Sequence, residues 1–200
     1  MAERGAVRRL ATSAAVVAVV AAPVVLAVTD FHLEAAPAAL LISTVAGALA
    51  VSALVLQPVL AARGRLGVHQ VLGLVALGLV LVHVGALLIL APDDALFAMS
   101  PDGPTRARMA LMATIALVAV VLLGLLRRRL PLDGATWRIL HGFLAALVIA
   151  LGFGHAVITD GALDGPGTVV LLGFAGLALS AIATAYVVRS KRARRLRGAR

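Results

Sequence analysis

Residues 69–83 read HQVLGLVALGLVLVH, and residues 141–155 read HGFLAALVIALGFGH. Each stretch has a histidine at both ends of an uncharged run. The chain has only 5 histidines, and four of them form two pairs with the same spacing. The 14 positions within each pair are almost four turns at about 3.6 residues per turn, so both members lie close to one helix face. The helical rise between them is about 21 Å, most of the hydrocarbon thickness of a bilayer.

The composition is that of a membrane protein. Of 200 residues, 62% are hydrophobic and 14% are charged, and the mean hydropathy is +1.07. A soluble domain of this length is much less apolar. The net charge of +9 is better explained by orientation in a membrane than by nucleic acid, so no nucleic-acid partner is expected. The absence of cysteine excludes disulfides, thiolate catalysis, iron–sulfur clusters and cysteine-ligated haem.

Six runs are apolar enough and long enough to span a bilayer, which takes roughly 20 residues. They are residues 10–28, 38–62, 66–91, 109–126, 137–158 and 168–188. The predicted fold is therefore an all-α bundle of six transmembrane helices, a single domain over residues 1–200 that ends in a basic tail at 189–200. The first run follows three arginines, and we interpret it as an uncleaved helix rather than a signal peptide.

The basic residues predict the orientation. With the N-terminus inside, all but two of the 18 lysines and arginines fall in inner segments. The exceptions are Arg106 and Arg108. A bias of this kind predicts a multi-pass protein of the plasma membrane with both termini in the cytoplasm. The tail, RSKRARRLRGAR, is read as an orientation signal on anionic lipid, with a dock for an acidic partner protein as the alternative.

The histidines predict two haem sites. The third and fifth predicted helices both run from inside to outside, so His69 faces His141 near the inner surface and His83 faces His155 nearer the outer surface. Two imidazoles on opposite sides of a haem iron complete six-coordination. Two stacked b-type haems are therefore expected between these helices, with the four histidines as axial ligands.

Intramembrane histidines have two other uses in proteins. A single histidine is explained equally well by a hydrogen bond to a neighbouring helix, but repeated pairing at matching depth favours ligation. A zinc or copper site is the next possibility. It fits less well, because neither depth offers a further carboxylate or thiolate ligand.

Four arginines are predicted to contact haem propionates, or else to anchor the helices at the interface. They are Arg65 and Arg138 for the inner haem, and Arg106 and Arg108 for the outer haem. Two glycines on the histidine faces, Gly73 and Gly152, are expected to leave room for a macrocycle. The fifth histidine, His32, lies in the outer stretch TDFHLEAAP and is interpreted as a loop residue near the electron acceptor.

The stretches GRLGVHQVLGLVALGLVLVH and WRILHGFLAALVIALGFGH together resemble the ferric reductase-like transmembrane superfamily. It includes ferric-chelate reductases, NADPH oxidases and the haem-binding membrane subunit of a bacterial methionine sulfoxide reductase system. The doubled histidine spacing is the specific part of the resemblance, which extends over nearly the whole chain. The methionine sulfoxide reductase subunit is similar in length but lacks the full second histidine pair, so the complete set favours the ferric reductase-like branch.

The resemblance implies that electrons cross the membrane through stacked b-type haems, from an inner donor to an outer acceptor. Relatives usually carry a cytoplasmic domain for FAD and a nicotinamide cofactor, but this sequence has no G-x-G-x-x-G motif. The expected donor is therefore a separate cytoplasmic flavin reductase, a flavin supplied by or shared with a partner, or membrane quinol. The expected acceptor is a periplasmic or extracellular protein or a small molecule.

Other functions stay open on the sequence alone. The chain can be a quinol-linked cytochrome subunit of a periplasmic reductase, although no inner-half carboxylate marks a proton acceptor. It can be a non-haem transporter or proton path that uses the histidines, or a structural subunit whose haems stabilise a complex. As an enzyme it would be an oxidoreductase component that depends on a partner, and no catalytic residue is assigned.

Overall fold

The computed structural model describes residues 2–29, 33, 35–159 and 165–198, and the side chains of residues 13–29, 33, 35–159, 165–185 and 187. Seven helices make up its regular structure and no strand occurs within the described part. The helices are α1 (Ala2–Val28), α2 (Ala38–Ala62), α3 (Leu66–Leu90), α4 (Pro92–Ala98), α5 (Thr105–Leu125), α6 (Gly134–Val157) and α7 (Pro166–Gly198).

Five helices are long and apolar enough to cross a membrane: α2, α3, α5, α6 and the Pro166–Ala185 part of α7. In α1 the described apolar part, Ser13–Val28, is shorter than a span. Large apolar side chains also cover the outside of the bundle; Ile89 is 81% exposed and Val169 is 71% exposed. Such a surface is suited to lipid. The all-α, multi-pass membrane class is therefore confirmed, and five of the six predicted spans qualify in the described residues.

The outer segment between the second and third long spans differs from the prediction. The predicted runs 66–91 and 109–126 left the residues between them outside any helix, yet α4 lies there and α5 begins at Thr105 rather than at 109. Pro92 stands at the start of α4, followed by Asp93 and Asp94 in its first turn, and this order of residues favours a helix N-terminus. The third and fifth predicted helices are consequently α3 and α6.

The last helix is longer than predicted. The sixth run was expected to end at residue 188, whereas α7 continues through the basic segment to Gly198. Arginine and lysine have high helix propensity, so a basic segment favours continuation of the helix.

Helix α2 lies at the centre of the bundle, in contact with α1, α3, α6 and α7. Its buried positions are mostly small: Ser43, Ala46, Ala48, Ala50, Ser52 and Ala53. Small side chains let helix backbones approach closely, which is the main source of packing where lipid removes the hydrophobic drive. The centre of the bundle is therefore a close-packed helix that carries no histidine.

Helices α3 and α6 are each held in place by neighbouring helices. Helix α3 packs along α2, and α6 packs along α5 and α7. A cluster of Ala116, Leu117, Val120 and Val148 joins α5 to α6, and a second one around Val55, Ile149 and Phe153 joins α6 to α2 and α7. The two histidine-bearing helices are positioned by these neighbours and meet each other through side chains.

The short α2–α3 connection and the α5–α6 connection lie at the same end of the bundle, because His69 and His141 meet there. Gly64, with φ of +72°, makes the first of these turns possible. This end carries the arginines at positions 63, 65, 127, 128, 129 and 138, and the opposite end carries Arg106 and Arg108. The charge separation read from the sequence therefore holds in three dimensions for these connections.

Candidate functional site

The structure brings the four membrane histidines together as two pairs, named here after the predicted orientation. In the inner pair, the ring centroids of His69 and His141 are 6.0 Å apart, with planes at 62°. In the outer pair, the centroids of His83 and His155 are 6.4 Å apart, with planes at 64°. The two pairs stand at opposite ends of α3 and α6, which run parallel, so the arrangement repeats along the bundle.

Helix α2 supports His69 from behind. The backbone carbonyl oxygen of Gln57 lies 3.1 Å from Nδ1 of His69. A carbonyl only accepts, so Nδ1 must carry the proton and donate it. The other nitrogen, Nε2, is left with a free lone pair on the part of the ring away from α2. This is the tautomer that a metal-binding histidine adopts when its second nitrogen is held by a carbonyl.

His83 is held by α2 more tightly. Its Nδ1 lies 2.9 Å from both the carbonyl oxygen and the hydroxyl oxygen of Ser43, and the hydroxyl donates to the His83 carbonyl at 3.0 Å. Gly47, one turn further along α2, leaves the ring its space, since a Cβ there would stand 3.1 Å from Nδ1. The same tautomer leaves Nε2 of His83 unprotonated, with its lone pair able to bind a metal.

His155 receives the same support from α5. Its Nδ1 donates to the backbone carbonyl oxygen of Arg106 at 3.0 Å. The hydroxyl of Thr159 lies 3.3 Å from the same nitrogen and donates to the His155 carbonyl at 2.7 Å. Three of the four imidazoles thus share one tautomer, set by a carbonyl of a neighbouring helix.

His141 differs from the other three. Its Nδ1 is buried and has no hydrogen-bond partner among the described residues. Its ring instead stacks on Trp137, at 4.7 Å between centroids and 17° between planes. The indole nitrogen of Trp137 donates to the Leu123 carbonyl at 3.1 Å, and the Arg127 guanidinium carbon lies 4.5 Å above the indole ring. His141 is therefore oriented by stacking.

The start of α6 is capped just before this stack. The Asp133 side chain accepts from the backbone nitrogens of Ala135 at 2.7 Å and Thr136 at 3.0 Å, and from the Thr136 hydroxyl. These hydrogen bonds, with that of the Thr136 side chain first, hold the pKa of the Asp133 carboxyl below its usual value. An ionised cap of this kind fixes where the helix carrying Trp137 begins.

The predicted roles of Gly73 and Gly152 do not match their surroundings. A Cβ on Gly73 would stand 3.2 Å from the amide nitrogen of Gln57, and one on Gly152 would meet Ala113 at 4.0 Å. Gly73 is therefore crowded by α2, and Gly152 faces α5 at ordinary contact distance. They serve helix packing, because a residue three or four places from a histidine also borders the neighbouring helix.

The Gln57 side chain was not singled out by the sequence. Both its amide oxygen and its amide nitrogen are buried without a partner, and with Nδ1 of His141 they are the unpartnered buried side-chain atoms among the described residues. All three belong to residues that flank His69. The inner pair thus has unused hydrogen-bonding capacity that the outer pair lacks.

The four predicted arginines are exposed. Arg65 precedes α3, and its backbone carbonyl accepts a hydrogen bond from the backbone nitrogen of His69 at 2.9 Å. The Arg108 side chain bends back to the Pro101 carbonyl at 3.5 Å and the Thr105 hydroxyl at 3.3 Å. Arg106 contacts the outer pair through its backbone, and Arg138 lies near Asp133. Their contact with propionates stays a prediction, and His32 lies outside the described residues.

The donor set of the described residues differs from that of a protein-bound zinc site. No group of three or more histidine, cysteine, aspartate or glutamate side chains comes together in the described part of the chain. A protein-bound zinc ion would need about three or four such ligands. Two imidazoles per level instead fit a metal whose equatorial ligands come from a macrocycle.

Comparison with known proteins identifies the family. Residues 36–152, more than half of the chain, match the family described as ferric reductase like transmembrane component. The chain therefore belongs to the ferric reductase-like transmembrane family, as the resemblance predicted, and is a membrane redox component by that membership. The match includes His69, His83 and His141 and ends three residues before His155. No curated protein and no solved structure matches the chain.

Proposed function

We propose that the protein is an integral membrane b-type cytochrome with two haems that carries electrons from a cytoplasmic donor to an acceptor on the outer side. The observation that carries the proposal is the spacing of the rings. An imidazole nitrogen binds a metal at about 2 Å and the ring centre lies about 1 Å behind it, so two imidazoles on opposite sides of one iron have centres about 6 Å apart. The centroid distances of 6.0 Å and 6.4 Å agree with this value.

The hydrogen bonds support the same proposal. His69, His83 and His155 each donate Nδ1–H to a backbone carbonyl. A carbonyl in this position fixes the ring orientation and raises the basicity of Nε2. Haem, when bound, would supply an iron that accepts and passes on one electron without a proton. The chain would contribute the four imidazoles, their fixed tautomers and an apolar surrounding that keeps water away.

The direct test is the haem content of the purified full-length protein. We expect two haems per chain with a low-spin, bis-histidine b-type spectrum. A protein with one haem would remove one of the two sites, and a colourless protein that takes up no added haem would overturn the proposal. The colourless outcome would favour the non-haem transporter or proton path.

The electron donor is tested separately. Replacing the seven basic residues of the tail by neutral ones should slow reduction by a soluble cytoplasmic flavin reductase, and the wild-type rate should fall as salt increases. The tail residues are Arg189, Lys191, Arg192, Arg194, Arg195, Arg197 and Arg200. A reduction rate that is unchanged by the neutral tail and by salt contradicts an electrostatic encounter at the tail. Rapid reduction by a quinol in the membrane would identify the protein as quinol-linked.

A further inference from the structure

A cleft opens between α2 and α7 at the end of the bundle that carries the inner pair, called here the inner end. Its volume is about 530 Å³. Its walls are Val59, Ala62 and Arg63 of α2 and five residues of α7 between Leu177 and Ala185. None of the four membrane histidines lines it, so the cleft is separate from the two histidine levels.

The walls of this cleft change from apolar to polar along the bundle. Helix α2 reaches the inner end at Arg63, and α7 starts beyond the outer end of α6, so both helices run towards the inner end. Val59 therefore lies deeper than Arg63, and Leu177 lies deeper than Thr184 by about 10 Å of helical rise. A phospholipid has the same order, with its acyl chains inside the membrane and its phosphate at the surface.

Three polar side chains of the cleft are not engaged by other described residues. The guanidinium of Arg63 is exposed and makes no ion pair within the described part of the chain. The hydroxyls of Ser180 and Thr184, one turn apart on one face of α7, make no hydrogen bond to any described residue. The hydroxyls of Ser52 and Thr114 differ, since they donate to the carbonyl one turn earlier at 3.0 Å and 2.9 Å.

We propose that this cleft binds the phosphodiester of an anionic phospholipid of the inner leaflet. Arg63 pairs with the negative charge, and the hydroxyls of Ser180 and Thr184 donate hydrogen bonds to the phosphate oxygens. Basic pockets between membrane helices on the cytoplasmic side bind headgroups of this kind. One acyl chain lies along Val59 and Leu177 and fills the gap between the helices. The lipid thus joins α7 to the central helix.

The charges near the cleft favour an anionic lipid over a zwitterionic one. The inner end also carries the arginines at positions 65, 127, 128 and 129, and further basic residues follow on α7 from Arg189 onward. A headgroup with its own cation, such as choline, would be repelled by these charges, whereas glycerol would not. A permanent phosphate charge is matched by arginine, which stays protonated at every physiological pH.

A quinol fits the same cleft less well. Oxidation of a quinol releases protons, and a base within hydrogen-bonding distance has to accept them. Among the described residues that line the cleft there is no carboxylate and no imidazole. The cleft therefore offers anion binding without acid–base chemistry.

A second groove, on the other side of α7, provides a matched comparison. It lies between α6 and α7 and has a volume of about 410 Å³. The described residues that line it are apolar or glycine, among them Phe143, Leu179 and Ala183. Leu179 and Ala183 each precede a hydroxyl of the cleft by one position, so the groove and the cleft lie at similar depth. A lipid in this groove finds no partner for its headgroup.

The test is native mass spectrometry of the full-length protein, released from detergent micelles that contain equal amounts of phosphatidylglycerol and phosphatidylcholine. The wild type should retain one phosphatidylglycerol per chain in preference to phosphatidylcholine, with or without haem. Arg63→Ala should weaken this binding roughly tenfold, the value of a hydrogen bond to a charged group. Arg128→Ala removes an exposed charge at the same end, outside the cleft, and should leave binding unchanged. Glycerol phosphate should not compete, because it has no acyl chain.

Filling each groove in turn separates the two surfaces. Ala181→Trp fills the cleft and should abolish the retention of phosphatidylglycerol, whereas Ala183→Trp fills the apolar groove and should not. Should Ala181→Trp fail to fold, Ser180→Ala combined with Thr184→Ala decides, with a loss of a few-fold expected for two neutral hydrogen bonds.

Four outcomes would overturn the inference. They are equal retention of the two lipids, wild-type binding by Arg63→Ala, full competition by glycerol phosphate, and loss of a dimer in Ala181→Trp without a change in bound lipid. The last outcome would identify the cleft as a contact between two copies of the chain. Haem content should be the same in all these variants, so a failure here leaves the proposed function standing.

Discussion

Gly47 on α2 lies directly against the imidazole of His83: a Cβ built on the glycine would stand 3.1 Å from Nδ1 and 3.4 Å from Cε1. The contact is close enough that a methyl group there must push the ring by a few tenths of an ångström. It joins the central helix, which carries no histidine, to the outer pair. Gly47 is thus a supporting residue of the outer site, four positions from Ser43, whose oxygens hold the same ring.

Gly47→Leu is therefore expected to displace His83 and remove the outer haem. Overpacking of this kind costs about 1–3 kcal/mol where the neighbour cannot yield. The haem content should fall from two to one per chain, and the remaining spectrum should be that of the inner site. Gly78→Leu is the matched control on α3, since nothing lies within 4 Å of its Cβ position. Two retained haems in Gly47→Leu would show that the ring adapts.

The four histidines should group by pair when they are replaced singly. His69→Ala and His141→Ala should produce the same spectral loss, and the double variant should add little, because both residues act on one iron. His69→Ala combined with His83→Ala should lose both haems. In each single variant, transfer from inside to outside should be abolished while the remaining haem is reduced from its own side.

Haem content and potential-dependent spectra of the four single variants and these two doubles measure the grouping. If His69→Ala groups with His155→Ala, the parallel arrangement of α3 and α6 is wrong. Full transmembrane transfer and two haems in all four single variants would contradict the conduit.

Gln57→Leu is expected to leave the inner haem bound and to stabilise the protein. The backbone carbonyl that holds His69 is unaffected by this change, whereas the buried amide without a partner is removed. The gain should be about 1–3 kcal/mol, the usual penalty for an unsatisfied buried polar group. Thermal unfolding of the wild type and Gln57→Leu in the same detergent measures this gain in stability. Gln57→Glu keeps a polar group at the site and should lower the stability instead. Loss of the inner haem in Gln57→Leu would mean that the amide binds the ligand.

The start of α6 should loosen in acid. Because the pKa of Asp133 in the folded protein lies below its ordinary value of 3.8, the cap is fully made above pH 3.8 and is lost as the pH falls through the lowered value. The chain has 1 tryptophan, Trp137, so its fluorescence in the haem-free protein reports this change directly. Asp133→Asn keeps a capping side chain that does not titrate and should make the emission independent of pH in this range. An equal acid response in both proteins would exclude Asp133 as its cause.

Hydrophobicity and charge account for most of what could be predicted from the chain alone. A run such as 38–62 must be helical in lipid, because every backbone hydrogen bond has to be made within the segment. The short α4 was missed because Pro92, Asp93 and Asp94 are typical of both turns and helix starts, and a seven-residue segment has too few positions to show a helical period.

The sequence by itself determined the two histidine pairs, since 14 positions bring a residue back to nearly the same helix face whatever surrounds the helix. Which residues of a neighbouring helix contact each imidazole was decided only in the tertiary structure. Ser43, Gly47 and Gln57 are ordinary residues of an apolar helix until α2 packs along α3. The stack of Trp137 on His141 follows from their four-residue spacing, but the absence of an acceptor at Nδ1 does not. Hydrogen bonds from a side chain to another helix depend on the rotation and depth of that helix, and these are set by the packing of all the helices together.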